Sequence, residues 1–332
     1  MSPTEDYINN LSIQMNRYFS IVIFLFGTIG NLLNICVLSQ RIFRSNSCAI
    51  LFLFSSFANL IAILSGLLSR TFSGWIVDLT NTDRFLCKLR AFILNVARPI
   101  AFWLILLAAI DRWLLSNPNA YYRRMNTLKN AKRSMIIITI LSIILFAHIL
   151  YCYEPNLVNA PLKCYGVTVT CRLVTDILFT FGSTLIPIVL MFIFGLMTIR
   201  NIQSSRKKVR PTDFPMETNQ ISIGERQRPS LSKSDYRLVM MLLAQILLLF
   251  IFGLPLGVQK LYATITINRP TSQLQTAIDN FAYNFTLLLN FLANGIPFYI
   301  YTLFGGEIFR KALLKVFFTI KQKVFHSMLY CH

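Results

Sequence analysis

Asp111-Arg112-Trp113 stands at one end of a long apolar segment and Cys87 at the other. A helix rises about 1.5 Å per residue, so the 25 positions from Cys87 to Arg112 cover roughly 37 Å, a bilayer with its interfaces. One end therefore offers a thiol for disulfide chemistry, and the other an acid beside a base. Arg112 is always protonated and is costly in apolar surroundings unless a partner meets it. A second guanidinium, Arg98, interrupts the segment itself. A charge at that depth points to a functional site, and arginine binds carboxylates bidentately. Arg70 and Lys260 close two further apolar stretches, so the three cations suit an anionic group such as a peptide carboxylate or an acidic side chain. Each also has a plainer reading. Arg98 can serve Asn95 or carbonyls freed by Pro99, and Arg70 and Lys260 can snorkel to the interface.

The elements that must hold these residues are set by composition. Hydrophobic residues make up 55% and charged residues only 14%, against about a quarter charged in soluble domains. Tyr18–Ser39, Ser47–Ser69, Ser134–Tyr153, Ile177–Ile199, Leu238–Gln259 and Asn280–Gly306 carry no charge, and Ala91–Ile110 is broken only by Arg98. About 20 apolar residues span the hydrocarbon core as a helix. The expectation is an all-α membrane protein, a bundle of seven transmembrane helices. A polar, acidic leader without a basic n-region precedes the first stretch, which is expected to be a span rather than a signal peptide.

Orientation follows from the basic residues. With the amino terminus outside, the inner segments hold 21 of the 32 Lys and Arg, as the positive-inside rule requires. In a soluble chain a net charge of +19 suggests nucleic acid; here it is a topology signal that meets anionic membrane lipid, and no nucleic-acid partner is expected.

The chain resembles the rhodopsin-like G-protein-coupled receptors from Arg17 to Phe325. Asp111-Arg112-Trp113 is similar to their Asp/Glu-Arg-Tyr motif, Gly30-Asn31 to the Gly-Asn pair of the first helix, and Pro187 and Pro255 to the prolines that kink the fifth and sixth. Pro297-Phe298-Tyr299-Ile300-Tyr301 has the length of Asn-Pro-x-x-Tyr, with Pro297 in the Asn position and Tyr301 in the Tyr position. The run Asn294 to Leu303 is similar to invertebrate FMRFamide-type neuropeptide receptors. Departures are equally specific. Asn59 occupies the usual Asp position, which implies a weakened sodium site, and the fourth helix lacks its Trp. Gly253 replaces the sixth-helix toggle Trp, so Phe252 or Phe250 must take over.

The resemblance implies a signalling receptor with no catalytic activity and no cofactor. Its partners would be an extracellular ligand, expected to be a peptide, and a heterotrimeric G protein, with arrestin and receptor kinases besides. Arg112 would bridge Asp111 and Asp235, an acid 20 residues before Pro255, in a resting-state lock; Asp235 also reads as an ordinary polar residue where a loop enters a helix. A disulfide would tie Cys87 to Cys164, with Cys171 the substitute. An amine receptor would carry Asp 18 residues before Arg112, where Leu94 stands, and an opsin would carry Lys ten before Tyr301, where Phe291 stands. Both positions still belong to the expected ligand site. Amidated peptides lack a terminal carboxylate, so the basic residues and the FMRFamide likeness pull in different directions.

The domain layout follows. Residues 1–16 read as an extracellular terminus bearing a glycosylation sequon at Asn10. Residues 17–304 read as the receptor domain, with 201–234 a disordered cytoplasmic loop open to phosphorylation at Ser230 or Ser232. Residues 305–332 read as a tail whose short amphipathic helix aligns Phe309, Leu313, Val316, Phe317 and Ile320, with Cys331 a palmitoylation candidate. Asn284-Phe285-Thr286 is a sequon by pattern only, being inside the seventh stretch. A membrane transporter or a non-signalling seven-helix protein is the rival reading. A transporter would show internal repeats with embedded acids, and an enzyme a convergent set, whereas His148, His326 and His332 are scattered.

Overall fold

Each uncharged stretch forms a helix, because in lipid a helix satisfies its own backbone N–H and C=O groups. The computed structural model describes residues 3–73, 79–157, 162–208, 233–266 and 272–330. Helix α1 (Pro3–Gln14) runs through π-helical Met15–Phe19 into α2 (Ser20–Leu38), so the expected terminal segment 1–16 is helical from Pro3 and continuous with the first span. Then come α3 (Ser47–Ser73), α4 (Leu79–Thr82), α5 (Arg84–Ser116), α6 (Ala120–Met125), α7 (Leu128–Phe146) and α8 (Ile149–Cys152). A hairpin of β1 (Tyr153–Glu154) and β2 (Tyr165–Gly166) pairs Tyr153 with Gly166 and Glu154 with Tyr165. Helix α9 (Val169–Ile177) continues through π-helical Leu178–Leu185 into α10 (Ile186–Lys208), which carries Pro187. The remainder is α11 (Lys233–Ile265), α12 (Gln273–Gly295), α13 (Pro297–Phe304) and α14 (Gly306–Tyr330).

Six helices or continuous helical runs are long and apolar enough to cross a membrane, and α12 with α13 makes a seventh span bent by 43° at Pro297. The sequence expectation of seven holds. The expected disordered stretch 201–234 is corrected at both ends, since 201–208 continue α10 and 233–234 begin α11. Ser230 and Ser232 lie outside the described residues, as does Cys331.

Side chains that satisfy the first orphan N–H groups mark where helices start. Asp83 accepts from the Leu86 amide at 2.7 Å and starts α5, while Thr127, Thr168 and Ser272 do the same for α7, α9 and α12. Helix α5 runs through the middle of the bundle, against α3, α7, α10 and α11. Buried alanines at 97, 101, 108 and 109 keep its surface small enough for close approach. Helices α2 and α12 meet backbone to backbone: a Cβ on Gly295 would lie 2.9 Å from the Gly27 Cα. That contact lets Asn31 Nδ2 donate to the carbonyls of Gly27, at 2.8 Å, and Asn294, at 3.0 Å. The second carbonyl belongs to the last turn before the Pro297 break, where a helix lacks internal donors.

Helix α14 is 25 residues long rather than short. Phe309 and Ala312 are buried, Leu313 and Val316 pack beside them, and Gln40 donates to the Ala312 carbonyl at 2.8 Å. Phe317, expected on the same face, is half exposed. At about 100° per residue it stands roughly 80° round the helix from Phe309, enough to turn it off the bundle.

Candidate functional site

Both disulfides lie at one end of the bundle. Cys87 is joined to Cys164 and Cys152 to Cys171, with Cα separations of 5.7 and 5.8 Å. The first is the pairing expected from the resemblance. The second removes Cys171 as substitute and uses Cys152, which the sequence reading had left inside the fourth stretch. Beneath the hairpin that these bonds anchor is a cavity of about 620 Å³. Arg70, Leu94, Arg98, Lys260 and Phe291, the five residues singled out from sequence for ligand binding, all line it. Arg17, Arg90 and Lys163 line it too, so among the described residues six cations face the cavity and no lining residue is acidic.

The cations differ in how they are held. Arg70 donates to Asn16 Oδ1 at 3.0 Å and Asn284 Oδ1 at 3.1 Å, an amide clamp from the first and seventh spans. Arg90 donates to Thr80 Oγ1 at 2.6 Å and to the Ser65 carbonyl at 3.1 Å. Lys260 departs from the snorkelling alternative. It is 5% exposed and lies 2.8 Å from Asp176 Oδ1, whose own side chain is fully buried. Tyr165 donates to the same carboxylate at 2.9 Å, and Thr264 donates to its other oxygen. Burial, then the neighbouring Tyr283 and Asp176, pushes the Tyr165 hydroxyl well above its ordinary pKa, so it remains a donor. Lys260 is thus a neutralised wall of the cavity rather than a free cation.

Arg98 has no such arrangement. It is 4% exposed, and its Nε and Nη2 have no hydrogen-bond partner. Asn95, the expected alternative partner, donates instead to the Ala91 carbonyl at 2.8 Å. The guanidinium carbon sits 4.2 Å from the centroid of the Phe291 ring, a cation–π contact that supports the charge on one face only. Phe291 reaches that place because α3 has glycine opposite it. A Cβ on Gly66 would come within 2.2 Å of the ring and 3.0 Å of Leu94. Leaving buried donors of a charged group unmade costs more than the ~1–3 kcal/mol of a neutral one.

The opposite end of α5 is fully paired. Arg112, 2% exposed, lies 2.6 Å from Asp111 Oδ2 and donates a longer bond, 3.3 Å, to Asn46 Oδ1. Ser47 donates to the other Asp111 oxygen at 2.5 Å, and Asn126 to its carbonyl at 2.7 Å. Trp113 packs between Tyr122 and Phe194. The side chain of Asp235, the expected second lock partner, lies outside the described residues. Tyr301 is buried, donates to Gln245 Oε1 at 2.7 Å and tilts against Phe52. Asn59 is buried with an unpartnered Oδ1. Pro255 lies inside α11, and the space beside Gly253 is met by Phe102, 3.6 Å from where a Cβ would stand. Phe252 packs against the core but Phe250 is half exposed, so of the two expected rings only Phe252 faces the bundle, and Phe102 is the ring beside Gly253.

The family model for the seven-transmembrane receptors of the rhodopsin family matches residues 30–298, most of the chain, with five of its seven spans in full and parts of the first and seventh. The chain belongs to the rhodopsin family of seven-transmembrane receptors. No curated protein matches it. As a rhodopsin-family receptor it is a multi-pass membrane protein, and the family's activity is signalling. Its most consequential overlooked residue, Asp176, carried a signal: it abuts the fifth uncharged stretch as Lys260 abuts the sixth, opposite charges at one depth. Arg90 and Gln245 carried none, being ordinary polar residues at helical positions until the bundle closes.

Proposed function

We propose that this rhodopsin-family receptor is a neuropeptide receptor of the plasma membrane, with its amino terminus outside. Ligand in the cavity would activate a heterotrimeric G protein at the Arg112 end. The observation that carries the reading is the pairing of one open cavity with one closed charge cluster at opposite ends of α5. The cavity volume falls within the ~300–1,000 Å³ typical of ligand sites. Two disulfides at the cavity end suit an oxidising exterior, and Asn10 is exposed on α1, open to glycosylation.

In the resting state Arg112 is held by Asp111, with Asp235 as second partner from the foot of α11. Activation would move α11 outward and free Arg112 for a G-protein helix. The residues divide, in this reading, into an outer terminus at 1–16, a receptor domain at 17–304 and an inner tail at 305–332. The test is a peptide-library screen on cells expressing the chain, read by calcium and cyclic AMP. At least one peptide should signal, Arg112→Ala should abolish that signal with binding retained, and Asp235→Ala should raise ligand-independent signalling. A library in which no peptide signals through a well-expressed receptor would remove the peptide reading.

A further inference from the structure

Of the cavity's cations among the described residues, Arg98 alone is both deeply buried and short of acceptors on two identified donors. We propose that the ligand presents a carboxylate, and that this carboxylate seats on Arg98 at the cavity floor. The inference rests on the reading of this cavity as the ligand site, and it goes beyond that reading by naming the ligand's chemical class.

Three observations point the same way. Nε and Nη2 form the side edge of a guanidinium, where two parallel N–H bonds match the two oxygens of one carboxylate. Phe291 covers one face of the group at 4.2 Å, so an anion approaches in the guanidinium plane rather than from above that ring. Lys260 is already answered, since Asp176 holds it at 2.8 Å, and among the described residues no acidic residue lines the cavity to compete for Arg98. Leu94, Leu287 and Phe291 make the surrounding wall apolar. A ligand with one carboxylate on an apolar body fits that mixture: a peptide ending in a free acid, or a fatty acid. Seating it requires the guanidinium to turn its side edge toward the cavity, which the carboxylate itself would drive.

The experiment uses the full chain purified in detergent, with melting temperature as readout. Three probe sets are compared: short peptides with a free C-terminal carboxylate, the same peptides amidated, and straight-chain fatty acids. Members of at least one acid set should raise the melting temperature, and the amidated peptides should not. Arg98→Gln should weaken the stabilising acid about a hundredfold or more, as for one partner lost from a buried pair, and Arg98→Lys should fall between. Equal stabilisation by acid and amide forms, unchanged affinity in Arg98→Gln, or no stabilisation by any acid would each overturn the proposal. The acid-versus-amide comparison needs only the wild-type protein, so a variant that fails to fold does not shield the idea. Fatty acids acting without peptide acids would keep the carboxylate site and remove the peptide reading. Amidated peptides that signal equally through wild type and Arg98→Gln would do the reverse.

Discussion

Lys260 and Arg98 line the same cavity and are buried almost equally, at 5% and 4% exposure, yet they are treated in opposite ways. The wall between α9 and α11 surrounds Lys260 with Asp176, Tyr165 and Thr264. The floor gives Arg98 an aromatic face and leaves two donors unanswered. The Arg112 end resembles the wall, with Asp111, Asn46 and Ser47 completing the cluster. Where the chain answers its own buried charge, that charge holds helices together. Where it does not, the group contributes little to the unliganded fold and is available to something else.

Breaking the wall tests this most severely. Asp176→Ala leaves Lys260 buried and uncompensated, at a cost of about 3–5 kcal/mol. The expected result is a large fall in melting temperature and surface yield, and Lys260→Met added to Asp176→Ala should recover most of both. A single variant as stable as wild type would show that water replaces the carboxylate, and the contrast with Arg98 would disappear.

Next in size is the tie that sets the wall's upper edge. The Cys152–Cys171 bond closes a loop of 19 residues, worth about 3 kcal/mol by loop closure. Cys152→Ser with Cys171→Ser should lower the melting temperature by a corresponding amount while peptide mapping still recovers Cys87 joined to Cys164. Tyr301→Phe sharpens the comparison at the inner end. It removes the donor to Gln245 and leaves a buried acceptor unmade, about 1–3 kcal/mol. Arg98→Met is expected to have the smallest effect on the unliganded protein, with stability unchanged or slightly raised. A loss comparable with that of Asp176→Ala would mean that Arg98 is held by the fold after all, and the floor would then resemble the wall.

Much of the fold was legible because it depends on periodicity-free quantities. An uncharged run of bilayer length must be helical whatever its neighbours, whereas the break at Pro297 was not legible, since Pro99, Pro187 and Pro255 lie inside unbroken helices. The same directness applied to α5, where Arg98, Asp111 and Arg112 are named by type and depth alone. The helical extension of α1 and the length of α14 were less visible, because both carry enough polar residues to read as tails. Phe317 was placed on the wrong side of its stripe because several apolar residues crowd one helix, and only packing against Phe298 and Phe43 selects which face is inner.

By itself the sequence determined a seven-span membrane bundle, the depth of each charge and the family. Those are properties of single segments in a fixed solvent. The tertiary structure alone decided which charges cancel, since pairing depends on the angle at which two helices face each other and not on their separate depths. Asp176 and Lys260 lie 84 residues apart and meet at 2.8 Å, whereas Arg98, well inside α5, meets the Phe291 ring. Gly66 shows the same limit on a smaller scale. Nothing in its neighbours says that a phenylalanine from α12 will need the space where a side chain would have been.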